Sequence, residues 1–204
     1  MITIVDYGMG NLRSVQKALE NQGFEAIITS KPEDILTATG LVLPGVGAFA
    51  DCMINLKDRD LIEPLKTYLS SGKPFLGICL GLQLLFEEGE EDGIHKGIGF
   101  LKGRVRKFTL PKEFKVPHMG WNTIDIKKES PIFKDIPDGT SFYFVHSYFV
   151  EPTEDVIAAT SSYGLDFCSA VVKDNVFAIQ FHPEKSSNWG LKILNNFGRL
   201  VETQ

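Results

Sequence analysis

The chain has 204 residues, 43% of them hydrophobic and 23% charged, with a net charge of −5. That length suits one domain over residues 1–204 with a sizeable core, and the acidic balance excludes a general nucleic-acid binder, which carries a basic face. No run approaches about 18 consecutive apolar residues and the opening "MITIVDYGMGN" lacks the parts of a signal peptide, so neither a membrane span nor export is expected.

From the amino end, "ITIV" (2–5) reads as a short apolar strand. A Gly-rich turn leads into a helix from about Asn11 to Gln22, with Leu12, Val15, Ala18 and Leu19 on one face and Gly23 closing it. "FEAIIT" (24–29) and "LVLP" (41–44) are the next strands. A helical stretch comes next, from about Ala48 to Leu69, broken near Asp58 or kinked at Pro64. "PFLGI" (74–78) is a fourth apolar strand, and "LGLQLLFEE" (80–88) turns helical. Near-continuous apolar strands between helices mean a parallel sheet covered on both faces, an α/β architecture. "KGRVRKF" (102–108) alternates like an exposed strand face. The second half changes character. There "WNTIDI", "SFYFVHSYFV", "VIAATSSY", "FCSAVV" and "VFAIQF" are strand-like between short polar turns, so antiparallel pairs enter. A closing helix from about Ser186 to Val201 sets Trp189, Ile193, Phe197 and Leu200 at helical spacing.

The cysteines are Cys52, Cys79 and Cys168, an odd number with no CxxC pair. That usage fits a reducing cytoplasm and argues against a disulfide framework and against a zinc site. Cys52 falls in a helical pattern and Cys168 in a strand, so both read as structural. Cys79 differs. It stands in "GICLG" (77–81), where an apolar strand gives way to a helix, with glycine two residues before and two after. A nucleophile elbow needs small residues at those positions, because the tight turn would drive larger ones into the neighbouring strand and helix. On an elbow the sulfur sits at the carboxyl end of the sheet and at a helix amino terminus, which favours thiolate over thiol, and the N–H of Leu80 is free to hold an oxyanion. The alternative is a core cysteine with glycine neighbours.

A nucleophilic thiol needs a base. In "QFHPEKSS" (180–187), His182 and Glu184 are two residues apart and share a face of an extended chain, which Pro183 favours at His182. Glu184 can then fix one imidazole nitrogen and leave the other for the thiol. His146 in "FVHSY" is the rival base but has no carboxylate at that offset; His95 and His118 fall in loop-like stretches. "PGVG" (44–47) ends the strand "LVLP" and is either an ordinary turn or a loop able to bring a second N–H to the oxyanion.

Taken in order, "PGVG", "GICLGLQLL" and "QFHPE" resemble the three landmarks of class I (triad-type) glutamine amidotransferase domains. "DYGMGNLRSV", "LPGVGAF", "PHMGWN", "FVHSY" and "HPEKSS" extend the likeness over the whole chain, toward the glutaminase subunits of imidazole glycerol phosphate synthases. The resemblance implies a flavodoxin-like fold, a central mostly parallel sheet with helices on both faces and an antiparallel extension in the second half. It implies hydrolysis of L-glutamine to glutamate and ammonia by Cys79, His182 and Glu184, with an oxyanion hole from Leu80, Val46 and Gly47, and neither cofactor nor metal. By the same pattern Gln83, Glu91, Ser147 and Tyr148 hold the substrate. Gln83 also has a physical case, since four residues after Cys79 a helix returns to the same face; otherwise it faces solvent. Asn11, Trp121, Asn122 and Lys185 meet a (β/α)8-barrel cyclase subunit that receives the ammonia, unless Trp121 is a core residue. The family also tends to stay slow until its partner is loaded, and the "PGVG" loop is a physical candidate for that switch. Two other readings remain: a paralogous glutaminase feeding a different synthase, and a non-catalytic redox-sensing protein on the same fold.

Overall fold

The computed structural model describes residues 1–203. The first half alternates β1 (Ile2–Val5), α1 (Leu12–Glu20), β2 (Ala26–Thr29), α2 (Pro32–Thr37), β3 (Gly40–Gly45), α3 (Phe49–Asp58), α4 (Ile62–Leu69), β4 (Phe75–Cys79) and α5 (Leu80–Gln83). Next come β5 (Phe86–Gly89), β6 (His95–Lys96), β7 (Leu101–Lys107), β8 (His118–Thr123), β9 (Asp125–Ile126), β10 (Ser141–His146) and β11 (Tyr148–Pro152). β12 (Ile157–Ser162), β13 (Asp166–Lys173), β14 (Val176–Ile179) and α6 (Ser187–Glu202) complete the chain. Among the described residues no helix is long and apolar enough to cross a membrane.

Two local departures from the sequence reading have clear causes. The stretch 48–69 is two helices, parted at Arg59–Leu61 with Asp60 at φ 55°. Pro64 lies in the first turn of α4, where a missing N–H breaks no helical bond, so it does not kink a longer helix. "LGLQLLFEE" holds only one helical turn before β5. Residues 80 to 86 are all buried, so this segment has no solvent-facing stripe to sustain an amphipathic helix. α2 lies outside the expected elements, although Pro32 and the acidic pair Glu33 and Asp34 in its first turn are ordinary helix-start signals.

The main sheet runs β2-β1-β3-β4-β14-β13-β11-β7-β5-β6, with β12 on β13 and β9 on β12; β8 and β10 form a separate ribbon. The strands from β2 to β14 are parallel, and β14–β13, β13–β11 and β11–β7 are antiparallel. "VFAIQF" therefore belongs to the parallel set as well as opening the antiparallel extension. Alternate side chains of the parallel strands feed two cores. Ile4, Val42, Ile78 and Ile179 pack with α1 and α6, and Val5, Leu43, Phe75 and Ala178 with α3 and α4. Burial on both faces explains the near-continuous apolar runs.

The same order positions a site. Gly45 of β3 pairs with Cys79 of β4, and Ile179 of β14 with Ile78. Three parallel strands thus end together, and their continuations converge: the loop after Gly45, the bend at Cys79 and the segment 180–184. Open α/β sheets bind ligands at such carboxyl ends.

Candidate active site

Cys79 is the elbow the sequence suggests. Its backbone sits at φ 55°, ψ −108°, a conformation that costs a non-glycine residue about 1–3 kcal/mol. A Cβ on Gly81 would overlap the backbone oxygen of Leu43 in β3, and one on Gly77 would lie 2.8 Å from the oxygen of Gly81 and 3.0 Å from Cβ of Ala178. Both glycines are thus dictated by close approach.

The thiol opens on a cleft of about 290 Å³. Of the residues singled out from sequence, Val46, Gly47, Leu80, Gln83, Glu91, Ser147, Tyr148 and His182 line it with Cys79, and Glu184 stands behind His182. Asn11, Trp121, Asn122 and Lys185 do not line it. A larger groove of about 800 Å³ between β7, β11 and β13 presents Cys168, but burial pushes that thiol up to about 12. Burial likewise raises the Cys52 thiol to about 11.

Glu184 Oε1 lies 2.9 Å from Nδ1 of His182, and both side chains are nearly sealed, at 2% and 3% exposure. The carboxylate accepts, so Nδ1 donates and Nε2, which is buried without a hydrogen-bond partner, stays free for Cys79 on the same cleft. Burial alone would lower this imidazole, but the neighbouring Cys79 sulfur and the Glu184 carboxylate outweigh it and push it up to about 10. The local geometry differs in one respect from expectation. His182 is extended at φ −99°, ψ 101°, but Glu184 lies in a 3-10 turn, Pro183–Lys185, that curls its carboxylate back under the ring. α5 is a single turn and carries little macrodipole, so the positive charge beside the sulfur comes chiefly from His182.

The "PGVG" loop is braced from several sides. Tyr7 donates to Pro44 O at 2.9 Å, the Cys52 thiol contacts Val46 O at 3.8 Å, and Gly47 adopts φ 105° against Met9. Glu91 faces the cleft, yet one of its oxygens accepts from the Phe49 N–H at 2.6 Å and so caps α3 directly behind the loop. The Leu80 N–H is the first of α5 and has no helical acceptor.

His146 lines the cleft but is not an alternative base. Its Nδ1 is 2.8 Å from Tyr148 O and its Nε2 is 2.9 Å from Nδ1 of His118, so both nitrogens are occupied. His118 is not in a loop; it opens β8, buried between the rings of Phe144 and Tyr163. Burial lowers His118 to about 4 and, with minor help from neighbouring imidazoles, His146 to about 3. The free imidazole value is 6.5, so in between the unfolded chain binds the extra protons. The stability from this pair is complete above about pH 6.5 and is lost as pH falls, at up to about 1.4 kcal/mol per pH unit for each ring. His182 works oppositely, its contribution being complete below 6.5 and lost as pH rises toward 10. Urea unfolding from pH 7 down to about 4.5 should therefore show a steep loss of stability that His146→Gln flattens. An equally steep loss in that variant would remove the histidine pair as its cause.

Sequence reasoning missed Gln180. Its side chain is fully buried, and Nε2 lies 3.6 Å from Cys79 Sγ. The available signal was an amide at the end of an apolar strand, since buried polar groups need partners.

A parallel α/β sheet with a thiol on an elbow, backed by an imidazole–carboxylate pair, is the architecture of a thiol-dependent acyl-transfer protein. The chain belongs to the class-I glutamine amidotransferase family, whose profile matches residues 3–200. The imidazole glycerol phosphate synthase subunit HisH of Rhodopirellula baltica is 58% identical over 198 residues, 97% of this chain and 96% of that one. The protein of the same name from Geobacter metallireducens is 54% identical over 202 residues, 96% of each. Among solved structures, a glutamine amidotransferase superposes with a TM-score of 0.75 at 18% identity, over 99% of this chain and 100% of that one. PurLQS from Thermotoga maritima gives 0.73 at 19%, over 99% and 97%. At those identities the likeness speaks for the fold alone.

Proposed function

We propose that this chain is the glutaminase subunit of an imidazole glycerol phosphate synthase, acting in histidine biosynthesis in a reducing cytoplasm. The observation that carries the chemistry is the buried His182–Glu184 pair, 2.9 Å apart, set beside a thiol on a positive-φ elbow. Cys79 attacks the γ-carboxamide carbon of L-glutamine, and the tetrahedral oxyanion is held by N–H groups of Leu80 and of the loop at Val46 and Gly47. The protonated His182 gives its proton to the departing amine, releasing ammonia and leaving a γ-glutamyl thioester. It then takes a proton from water, whose oxygen displaces the sulfur as glutamate forms, with Glu184 holding the ring throughout.

Ammonia released into neutral water is mostly protonated and ceases to be a nucleophile, so direct transfer to a partner has a chemical reason. The ribbon of β8 and β10 ends at the cleft, where Pro117, Val145 and His146 line it. On that ribbon Met119 and Trp121 are 62% and 55% exposed, which removes the core reading of Trp121 and supports a covered surface. Trp121 pairs with Tyr143, over whose ring Lys185 Nζ lies at 5.9 Å. Asn11 is exposed, next to Gly10, which packs on Pro44. These residues form the face for a (β/α)8-barrel cyclase. Asn122, half-buried on the same ribbon, donates its amide to Ser162 O at 2.9 Å and approaches His118 Nε2 at 3.4 Å, which leaves it at the edge of this face.

A redox sensor would need neither the Glu184 carboxylate nor its alignment on His182. A glutaminase serving another synthase would share the cleft but not the ribbon's partner. Glutamate release, measured with and without the cyclase and its ribonucleotide substrate, tests the assignment. Turnover that rises with the loaded cyclase is expected, and no turnover in either condition overturns it.

A further inference from the structure

The environment of Cys79 contains a second, uncharged set of partners besides His182. It starts from the carbonyl of Tyr148, a backbone oxygen that can only accept. Gln83 Nε2 approaches that oxygen at 3.1 Å and must therefore present its NH2 group there. The same NH2 group lies 3.0 Å from Oε1 of Gln180. Gln180 is left with Nε2 toward Cys79 Sγ, at 3.6 Å. Turning the Gln180 amide over would set two NH2 groups against each other and aim an oxygen at the sulfur. Its orientation is thus decided by Gln83, and Gln83 is held by a group that cannot change its role. The Tyr148 oxygen is itself steadied by Nδ1–H of His146 at 2.8 Å.

We propose that Gln180 is a positioning residue for the nucleophile: its amide N–H, aimed by Gln83 and the Tyr148 carbonyl, holds the Cys79 sulfur and stabilises it as an anion. The proposal rests on Cys79 being the nucleophile of glutamine hydrolysis. A thiolate accepts a hydrogen bond more strongly than a thioester sulfur does. The contact therefore favours the attacking state, and it favours the sulfur again when it leaves during hydrolysis of the thioester. It also gives the Gln83 NH2 group a task within the chain, beside any contact its oxygen makes with substrate in the cleft.

The test is alkylation of Cys79 in the full chain by iodoacetamide across a pH series, followed on the Cys79 peptide by mass spectrometry. Cys52 and Cys168, both buried with raised pKa values, serve as slow internal controls. Gln180→Glu keeps the shape but replaces the donor by an acceptor, and Gln180→Met removes the amide. Either is expected to lower the neutral-pH rate roughly 10- to 100-fold, the range for losing a hydrogen bond to a charged group, and to move the profile to higher pH. Gln83→Met frees the amide to turn over, so it should lower kcat and the alkylation rate together, and it keeps the test open if both Gln180 variants misfold. Folded Gln180 variants with an unchanged alkylation profile overturn the proposal. So does a Gln83→Met variant that raises KM for glutamine while alkylation stays normal. Alkylation needs no glutamine turnover, so a chain without glutaminase activity would fail the functional reading while still reporting on this one.

Discussion

Replacing Cys79 by alanine is expected to reduce glutamine hydrolysis by about 10³-fold or more, with the chain still folded and its melting temperature only slightly lowered. No other group can substitute. Cys52 and Cys168 are buried with thiols raised to about 11 and 12, and neither Sγ opens on the 290 Å³ cleft. Alanine keeps the backbone strain at φ 55°, ψ −108° and leaves the buried Gln180 amide without its sulfur partner, so stability should fall slightly while the fold is kept. Glycine at this position should be more stable than alanine by about 1 kcal/mol, since it adopts that conformation without penalty while remaining equally inactive. Kinetics of glutamate release together with thermal unfolding of both variants read the two effects separately. Hydrolysis by Cys79→Ala above about one hundredth of the parent rate would show that the attacking group lies elsewhere.

The second large effect concerns folding. Gly81→Ala should destabilise the chain by about 4 kcal/mol or prevent its folding, because the new methyl would overlap the Leu43 carbonyl oxygen. That oxygen is backbone within β3, which is paired on one edge with β1 and on the other with β4. No side-chain rotation can relieve the overlap, so either the elbow opens or two central strands part. Gly77→Ala should cost less, since its contacts at 2.8 and 3.0 Å call for smaller shifts. Urea midpoints ordered Gly81→Ala, Gly77→Ala, parent from lowest to highest are expected. A midpoint for Gly81→Ala equal to the parent would mean that the elbow does not constrain the fold.

Much of the site was legible because its requirements fall on neighbouring residues. In "GICLG" the glycines and the bend are conditions on five consecutive positions, and the structure places them as read. His182 and Glu184 are two residues apart with Pro183 between, so their meeting comes from local backbone even though a 3-10 turn makes it. The helical reading of "LGLQLLFEE" failed for the opposite reason. Its seven buried positions from 80 to 86 are a consequence of β5, β7 and the helices around them, and a run with no polar stripe does not distinguish helix from strand.

The sequence alone determined the conformation each segment prefers and the chemistry it carries: an alternation of apolar strands and helices, a thiol on a bend, an imidazole beside a carboxylate. The tertiary structure decided who meets whom. It inserted β14 parallel to β4, which brings Gln180 against Cys79 across 101 positions of chain, and it set His118 of β8 against His146 of β10. Such pairings depend on the order of strands in the sheet, and that order is selected by burying both faces of the whole sheet at once. No local window of residues contains that condition.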